Sequence, residues 1–123
     1  MKPLTTRLNT LFVCSRNRWR SPTAERVFRN DTRLSVRSCG LSAKSPRTLR
    51  ADDLLWADIV FVMEAKHRSR ILGEFRNELC KTRLHVLEIA DDYQYMDPEL
   101  VELLTDRVEE YLQTQLSDFD ADQ

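Results

Sequence analysis

Short apolar runs alternate with amphipathic stretches along the chain. Four of the runs are rich in β-branched and aliphatic residues and are typical of strands: residues 8–13, 34–38, 58–63 and 83–89. The third run, DIVFVM, is apolar at almost every position. Such a run indicates a strand that is buried on both faces of a parallel sheet.

The stretches between these runs predict helices. They cover residues 21–30, 49–57 and 64–75, and a longer helix is predicted from Asp97-Pro98 onward. Ser21 as the cap and Pro22 as the first helical residue favour a start at that point. A flexible acidic tail is predicted for about residues 117–123.

This alternation predicts an α/β protein with one domain, residues 1–123. We expect an open, four-stranded parallel sheet with helices on both faces and a phosphate loop after the first strand. Ligands of such sheets bind at the carboxyl ends of the strands. The first predicted strand ends at Cys14, and the fourth ends near Asp91.

Composition narrows the possible functions. The chain has 123 residues and a net charge of −1, which argues against general nucleic-acid binding. It lacks a run of eighteen apolar residues, so no membrane span or membrane partner is expected. Its two glycines, Gly40 and Gly73, are too far apart for a glycine-rich nucleotide loop. Three cysteines without metal-ligand spacing argue against zinc and favour free thiols and a cytoplasmic location.

Cys14 and Arg20 lie six positions apart, a spacing that suits a loop closed around a phosphate. The pair alone is weak evidence, because three cysteines and fifteen arginines readily produce it by chance. Its context strengthens it, since an apolar strand leads into the cysteine and a helix begins after the arginine. The amides at the start of that helix favour a bound anion and a thiolate. The alternative is a buried structural cysteine.

The segment LFVCSRNRWRSPTAE resembles the signature of the low-molecular-weight protein tyrosine phosphatases. The matching positions are Cys14, Asn17, Arg20, Ser21, Pro22, Ala24 and Glu25. Residues 38–41, 57–63 and 91–93 are also similar to family segments, so the resemblance covers nearly the whole chain.

The resemblance implies a role for each matching residue. Cys14 would be the nucleophile, Arg20 would bind the phosphate oxygens, and Asp91 would be the general acid. The phosphate-binding loop would comprise Ser15, Arg16, Asn17, Arg18, Trp19 and Ser21. Within it, Ser21 would donate a hydrogen bond to the thiolate, and Asn17 would brace the loop from behind together with Ser38. No metal or other cofactor is implied.

The chain also departs from the family pattern. Arg16 replaces a glycine, Arg18 an aliphatic residue and Trp19 a second cysteine, so the loop contains no glycine. Asn17 is expected to provide the positive φ that the loop needs. The segment 40–58 is short and lacks a histidine that would brace the loop.

Other assignments stay open at this stage. His67 and His85 are interpreted as structural. Asp92 stands where the family has proline, so either Asp91 or Asp92 is a candidate acid. Tyr93 and Tyr95 are candidates for a substrate rim or for packing.

Three hypotheses follow from these residues. The first is a phosphatase that hydrolyses phosphotyrosine or aryl phosphate monoesters through a phosphocysteine, with a phosphorylated protein or a small phosphate ester as substrate. The second is a catalytically impaired module that binds phosphate, phosphotyrosine or another oxyanion. The third is a thiol-dependent arsenate reductase, which would need Cys39 or Cys80 close to Cys14.

Overall fold

The computed structural model describes residues 7–79 and 82–121. The strands in these residues are β1 (Leu8–Cys14), β2 (Leu34–Gly40), β3 (Ile59–Val62) and β4 (Arg83–Val86). The helices are α1 (Arg20–Phe28), α2 (Ala51–Trp56), α3 (Ala65–Glu74) and α4 (Pro98–Ala121), and a 3-10 turn (Arg76–Leu79) follows α3. All strand pairs are parallel, in the order β2-β1-β3-β4. The predicted α/β class and parallel sheet are therefore confirmed.

The central strand β1 divides its side chains between two apolar cores. Phe12 and Cys14 belong to the core under α1 and α4, whereas Leu11 and Val13 belong to the core under α2 and α3. Phe12 stacks between two other rings of the first core, with centroid distances of 5.5 and 5.8 Å. The last helix carries a stripe of apolar residues that recur every three or four positions in the sequence. Leu100, Leu104, Val108 and Leu112 of this stripe are buried against this core.

The strand order places a crevice at the carboxyl end of β1. The chain leaves β1 for β2 on one side and then crosses to β3 on the other side. The connections diverge at this point, and open α/β sheets bind their ligands where that happens. Cys14, the last residue of β1, lies there.

Two helix ends differ from the prediction. The N-cap of α1 is Trp19 rather than Ser21, so Pro22 is the third helical residue. The first turn tolerates proline because its N–H groups have no acceptor within the helix. The backbone of α4 is helical as far as Ala121, where a tail was predicted from residue 117, because this segment contains no proline or glycine to end the helix. Residues 122 and 123 of that predicted tail lie outside the described residues.

Strand β4 is shorter than predicted. It ends at Val86, and Glu88 has a φ of 59°, which interrupts the extended backbone. The amides of Leu87 and Ile89 still donate to β3 and to Met63 after it, at 2.8 Å each. The chain therefore continues along the sheet edge and reaches the crevice at Asp91. In the described part of the chain, no helix has the length and apolar character needed to cross a lipid bilayer.

Candidate active site

The sulfur of Cys14 lies at the base of the loop between β1 and α1. Its side chain is only 3% exposed. The backbone N–H of Asn17 points at Sγ at 3.2 Å, and Oγ of Ser21 lies 3.0 Å from it. The N–H of Asn17 favours the thiolate, which is the nucleophilic form of cysteine, and the Ser21 hydroxyl has both this sulfur and the carbonyl of Cys39, at 3.2 Å, within reach. Ser21 reaches the sulfur because it lies inside the first turn of α1 instead of capping it.

Asn17 gives the loop its unusual backbone. Its φ is 54°, the left-handed conformation predicted for it, which asparagine tolerates better than most residues. Its Nδ2 donates to Oγ of Ser21 at 2.8 Å and to Oγ of Ser38, on β2, at 3.1 Å. The side chain is buried, so these hydrogen bonds hold the loop from below.

Gly40 on β2 allows the loop to lie directly on the sheet. It pairs with Cys14 in the strand register. A Cβ atom at Gly40 would lie 2.8 Å from N of Asn17 and 2.9 Å from C of Arg16, both backbone atoms. It would also lie 2.2 Å from Oγ of Ser45. The requirement at Gly40 is close approach, since its φ is not positive. This role of Gly40 was not predicted from the sequence.

We expect Gly40→Ala to lower the free energy of unfolding by about 1–3 kcal/mol, because the loop backbone must move away from the new methyl group. It should also weaken inorganic phosphate binding. Gly73→Ala is the matched control. A Cβ at Gly73 meets nothing within 4 Å, and this residue is helical. That substitution should raise stability by roughly 0.5 kcal/mol. Urea denaturation of both variants is the measurement, and equal effects would contradict the packing role of Gly40.

Arg20 is held rigidly on one side of the pocket. It is 2% exposed, and its Nη1 donates to Oε1 of Glu64 at 2.5 Å and to the carbonyl of Ile89 at 2.7 Å. These contacts tie α1 to the ends of β3 and β4. Nη1 is thus occupied, whereas the edge formed by Nε and Nη2, with Oδ1 of Asp91 3.6 Å from Nε, has the geometry for bidentate contact with an oxyanion.

Glu64 is a functional candidate that the sequence analysis missed. Burial raises the pKa of its carboxyl group, but the hydrogen bond and the charge of Arg20 outweigh this and lower that pKa overall. Glu64 is thus a carboxylate that orients the guanidinium. The available signal was an acidic residue directly after the apolar run 58–63.

The cavity above the sulfur has a volume of about 360 Å³. Its walls are formed by Cys14, Ser15, Arg16, Arg18, Trp19, Arg20 and Asp91. Asn17 and Ser21, the other two residues of the predicted phosphate loop, contact the sulfur and do not line this cavity. The guanidinium carbon of Arg18 lies 5.0 Å from the centre of a Trp19 ring. The aromatic wall of the cavity is therefore Trp19. Of the two tyrosines predicted as a rim or as packing, Tyr93 packs against the core under α1 and α4, and Tyr95 is exposed and does not line this cavity.

Asp91 reaches the cavity, and the neighbouring acid does not. The side chain of Asp91 is 57% exposed, and its Oδ1 lies 3.6 Å from Nε of Arg20. Asp92 is exposed and does not contribute to the lining of the cavity in the described residues. The geometry therefore favours Asp91 over Asp92 as the group next to a bound phosphate.

His67 on α3, interpreted from the sequence as structural, braces the loop after β1. It is buried, and its Nδ1 accepts the N–H of Glu64 at 3.0 Å, so Nε2 carries the ring proton. Nε2 lies 2.9 Å from Oγ of Ser15 and donates to it. Burial, together with the charge of Arg20, lowers the pKa of His67 to about 4. A neutral histidine thus supports the loop, although none lies in the segment 40–58.

This histidine predicts a pH dependence of stability. The unfolded chain binds the proton near pH 6.5 and the folded chain near pH 4, so the unfolded state holds more protons between these values. Stability should therefore fall as the pH drops from about 6.5 to 4, by on the order of 3 kcal/mol. His67→Gln should lose this dependence. Urea denaturation at pH 7 and pH 5 tests it, and an unchanged pH slope in the variant would contradict it.

Comparisons with known proteins bear on the fold. No protein-family model matches the sequence, and no curated protein is significantly similar to it. The YwlE arginine phosphatase from Geobacillus stearothermophilus is 23% identical, with a TM-score of 0.65 over 90% of this chain and 96% of that one. The tyrosine phosphatase Wzb from Escherichia coli K30, solved with phosphate, is 19% identical, with a TM-score of 0.68 over 89% and 99%. Wzb from Vibrio vulnificus, solved with benzylphosphonate, is 17% identical, with a TM-score of 0.71 over 89% and 99%.

The chain has the low-molecular-weight phosphatase fold. The resemblance that the segment around Cys14 predicted is thus confirmed at the level of the fold. At identities of 17–23%, these structures show the fold alone, so the substrate and the reaction must be inferred from the residues of this chain.

Within this fold, Cys39 lies on the strand next to Cys14, with its side chain on the opposite face of the sheet. It belongs to the core under α2 and α3, whereas Cys14 belongs to the opposite core. Burial raises the pKa of the Cys39 thiol, which keeps it protonated. These observations argue against a relay between Cys14 and Cys39, as a thiol-dependent reductase would need. Cys80 lies outside the described residues. No group of three or more metal-ligating side chains lies together within the described ranges.

Proposed function

We propose that this chain is a phosphatase that hydrolyses phosphotyrosine or another aryl phosphate monoester through a phosphocysteine. The observation that carries the proposal is the arrangement at one cavity. The sulfur of Cys14 accepts the N–H of Asn17 and lies 3.0 Å from the Ser21 hydroxyl, and the buried guanidinium of Arg20 and the carboxyl group of Asp91 line the same space. Nucleophile, oxyanion clamp and acid are the three parts that such a reaction needs.

The first step transfers the phosphoryl group to the protein. The Cys14 thiolate attacks phosphorus, and the bond from phosphorus to the phenolic oxygen breaks. The protonated carboxyl group of Asp91 gives its proton to the departing oxygen. Arg20 binds two phosphoryl oxygens through its Nε–Nη2 edge and stabilises the charge that develops on them.

The second step regenerates the thiol site. The Asp91 carboxylate accepts a proton from a water molecule, whose oxygen attacks phosphorus. The sulfur–phosphorus bond breaks, inorganic phosphate leaves, and Cys14 returns to the thiolate form. The N–H of Asn17 and the hydroxyl of Ser21 stabilise this leaving sulfur.

Two features of the cavity favour an aromatic substrate over phosphoarginine. Trp19 supplies an aromatic surface on which a phenyl ring can pack. Arg16 and Arg18 line the wall, and their charges would face the guanidinium group of phosphoarginine. The related folds include both a tyrosine and an arginine phosphatase, so the choice between these substrates depends on the residues of this chain.

The test compares three substrates in the presence of a metal chelator: p-nitrophenyl phosphate, a phosphotyrosine peptide and a phosphoarginine peptide. Phosphate release should be fastest from the two aryl phosphates at mildly acidic pH, and vanadate should inhibit it. Tight binding of phosphate or vanadate without turnover would replace this proposal with the binding-module hypothesis. Faster release from phosphoarginine would overturn the substrate assignment.

A further inference from the structure

A second cavity adjoins the proposed active site. It has a volume of about 400 Å³. The residues that line it come from the loop after β1, the segment after β2 and helix α3: Ser15, Arg16, Leu41, Ser42, Lys66, His67 and Arg70. Ser15 and Arg16 also line the cavity above Cys14, so the two spaces share a wall.

The second cavity is strongly basic. Three cations line it, and acidic side chains are absent from its lining in the described residues. The carboxylates that pair with these cations, Glu64 and Glu74, do not line the cavity. Lys66 lies 3.9 Å from Glu64, whose Oε1 already binds Arg20, and Arg70 pairs with Glu74 through its Nε alone.

The side chains of Lys66 and Arg70 are both available to a ligand. Lys66 is 67% exposed and Arg70 is 50% exposed. Exposed ion pairs such as Arg70–Glu74 contribute little, so an incoming anion can compete for the guanidinium. Ser42 adds a hydroxyl group at the same wall and is fixed there by its backbone N–H, which donates to Ser15 at 2.8 Å.

We infer that this basic cavity binds a second anionic group, a carboxylate or a phosphate, of the substrate whose scissile phosphate lies over Cys14. The inference rests on the proposed function and specifies its substrate class. An extended peptide advances about 3.5 Å per residue. A cavity that shares a wall with the active site therefore suits an acidic or phosphorylated residue one or two positions from the phosphotyrosine.

The experiment measures kcat/KM for three phosphotyrosine peptides and for p-nitrophenyl phosphate. The peptides carry alanine, glutamate or a second phosphorylated residue at the positions next to phosphotyrosine. We expect the two peptides with an added anionic group to exceed the alanine peptide by about fivefold to tenfold at low salt. Sodium chloride should reduce this preference. The glutamate and phosphate peptides separate the two possible sources of the anion.

Substitutions on α3 test whether the preference for an added anionic group arises at the second cavity. The double variant Lys66→Ala/Arg70→Ala should lower the preference to about that of the alanine peptide and leave p-nitrophenyl phosphate turnover unchanged. Arg68→Ala is the matched control, because Arg68 is an exposed cation on the same helix that lines neither cavity. It should retain the preference.

The outcomes separate this inference from the proposed function. Equal kcat/KM for all peptides, with p-nitrophenyl phosphate still hydrolysed, would overturn the inference alone. An equal loss in Arg68→Ala and in the double variant would also overturn it, since net charge and not the cavity would then be responsible. Absence of any hydrolysis would overturn the proposed function. Fluorescence polarisation would then compare binding of the same peptides, and equal affinities would reject the second site.

Discussion

Replacement of Cys14 by serine is expected to reduce phosphate release by a factor on the order of 10⁴ or more. The N–H of Asn17 and the hydroxyl of Ser21 stabilise a thiolate, but a serine hydroxyl in the same place stays protonated and lacks a base to activate it. Serine is close to cysteine in size, so the loop and Arg20 should keep their positions. Initial rates on p-nitrophenyl phosphate measure the loss, and calorimetric titration with inorganic phosphate should show that binding remains.

Cys39→Ser is the matched control for this prediction. It removes a buried thiol of β2 that lies in the opposite core, so hydrolysis per folded molecule should change little. Its unfolding free energy should fall, because a hydroxyl group is then buried among apolar residues. Retained turnover in Cys14→Ser, or a comparable loss of turnover in Cys39→Ser, would contradict the assignment of the nucleophile.

Asp91→Asn is expected to reduce kcat by a factor of about 10² to 10⁴, the usual contribution of a general acid. The carboxyl group lines the cavity and lies 3.6 Å from Arg20, so it is placed to protonate a leaving oxygen. Asparagine has the same shape but no proton of suitable acidity to give. The loss should be larger for phenyl phosphate than for p-nitrophenyl phosphate, because the poorer leaving group depends more on protonation.

Asp92→Asn provides the comparison at the next position. It removes one exposed negative charge from the same segment without altering the cavity wall, so kcat should change by less than about threefold. A larger loss in Asp92→Asn than in Asp91→Asn would move the general acid by one residue. Equal losses for the two phenolic substrates in Asp91→Asn would show that its effect is positioning rather than protonation.

Much of the fold was predictable because its signals are local. The runs 8–13, 34–38 and 58–63 predicted the first three strands to within two residues of their bounds. The stripe on the last helix matches its buried face. Element ends were less accurate. Pro22 predicts the first helical residue of α1, but the first turn of a helix accepts proline at several positions. The extended backbone after β4 is interrupted at Glu88, whose positive φ is not indicated by its residue type.

The sequence by itself determined the loop that carries the chemistry. Cys14, Asn17, Arg20 and Ser21 lie within eight consecutive positions, so the sulfur, the groups that contact it and the guanidinium belong to one local segment. The need for a positive φ at Asn17 also follows locally, because the loop contains no glycine.

Only the tertiary structure decided which distant residues support and extend this loop. The loop contacts Glu64, His67 and Gly40 because β1 lies between β2 and β3. Asp91 reaches the cavity because the chain continues beside β3 after the end of β4. Hydrophobic periodicity records which face of an element is buried, but it does not record which strands are neighbours. The brace from His67, the close approach at Gly40, the choice of Asp91 and the basic cavity on α3 all depend on that order of strands.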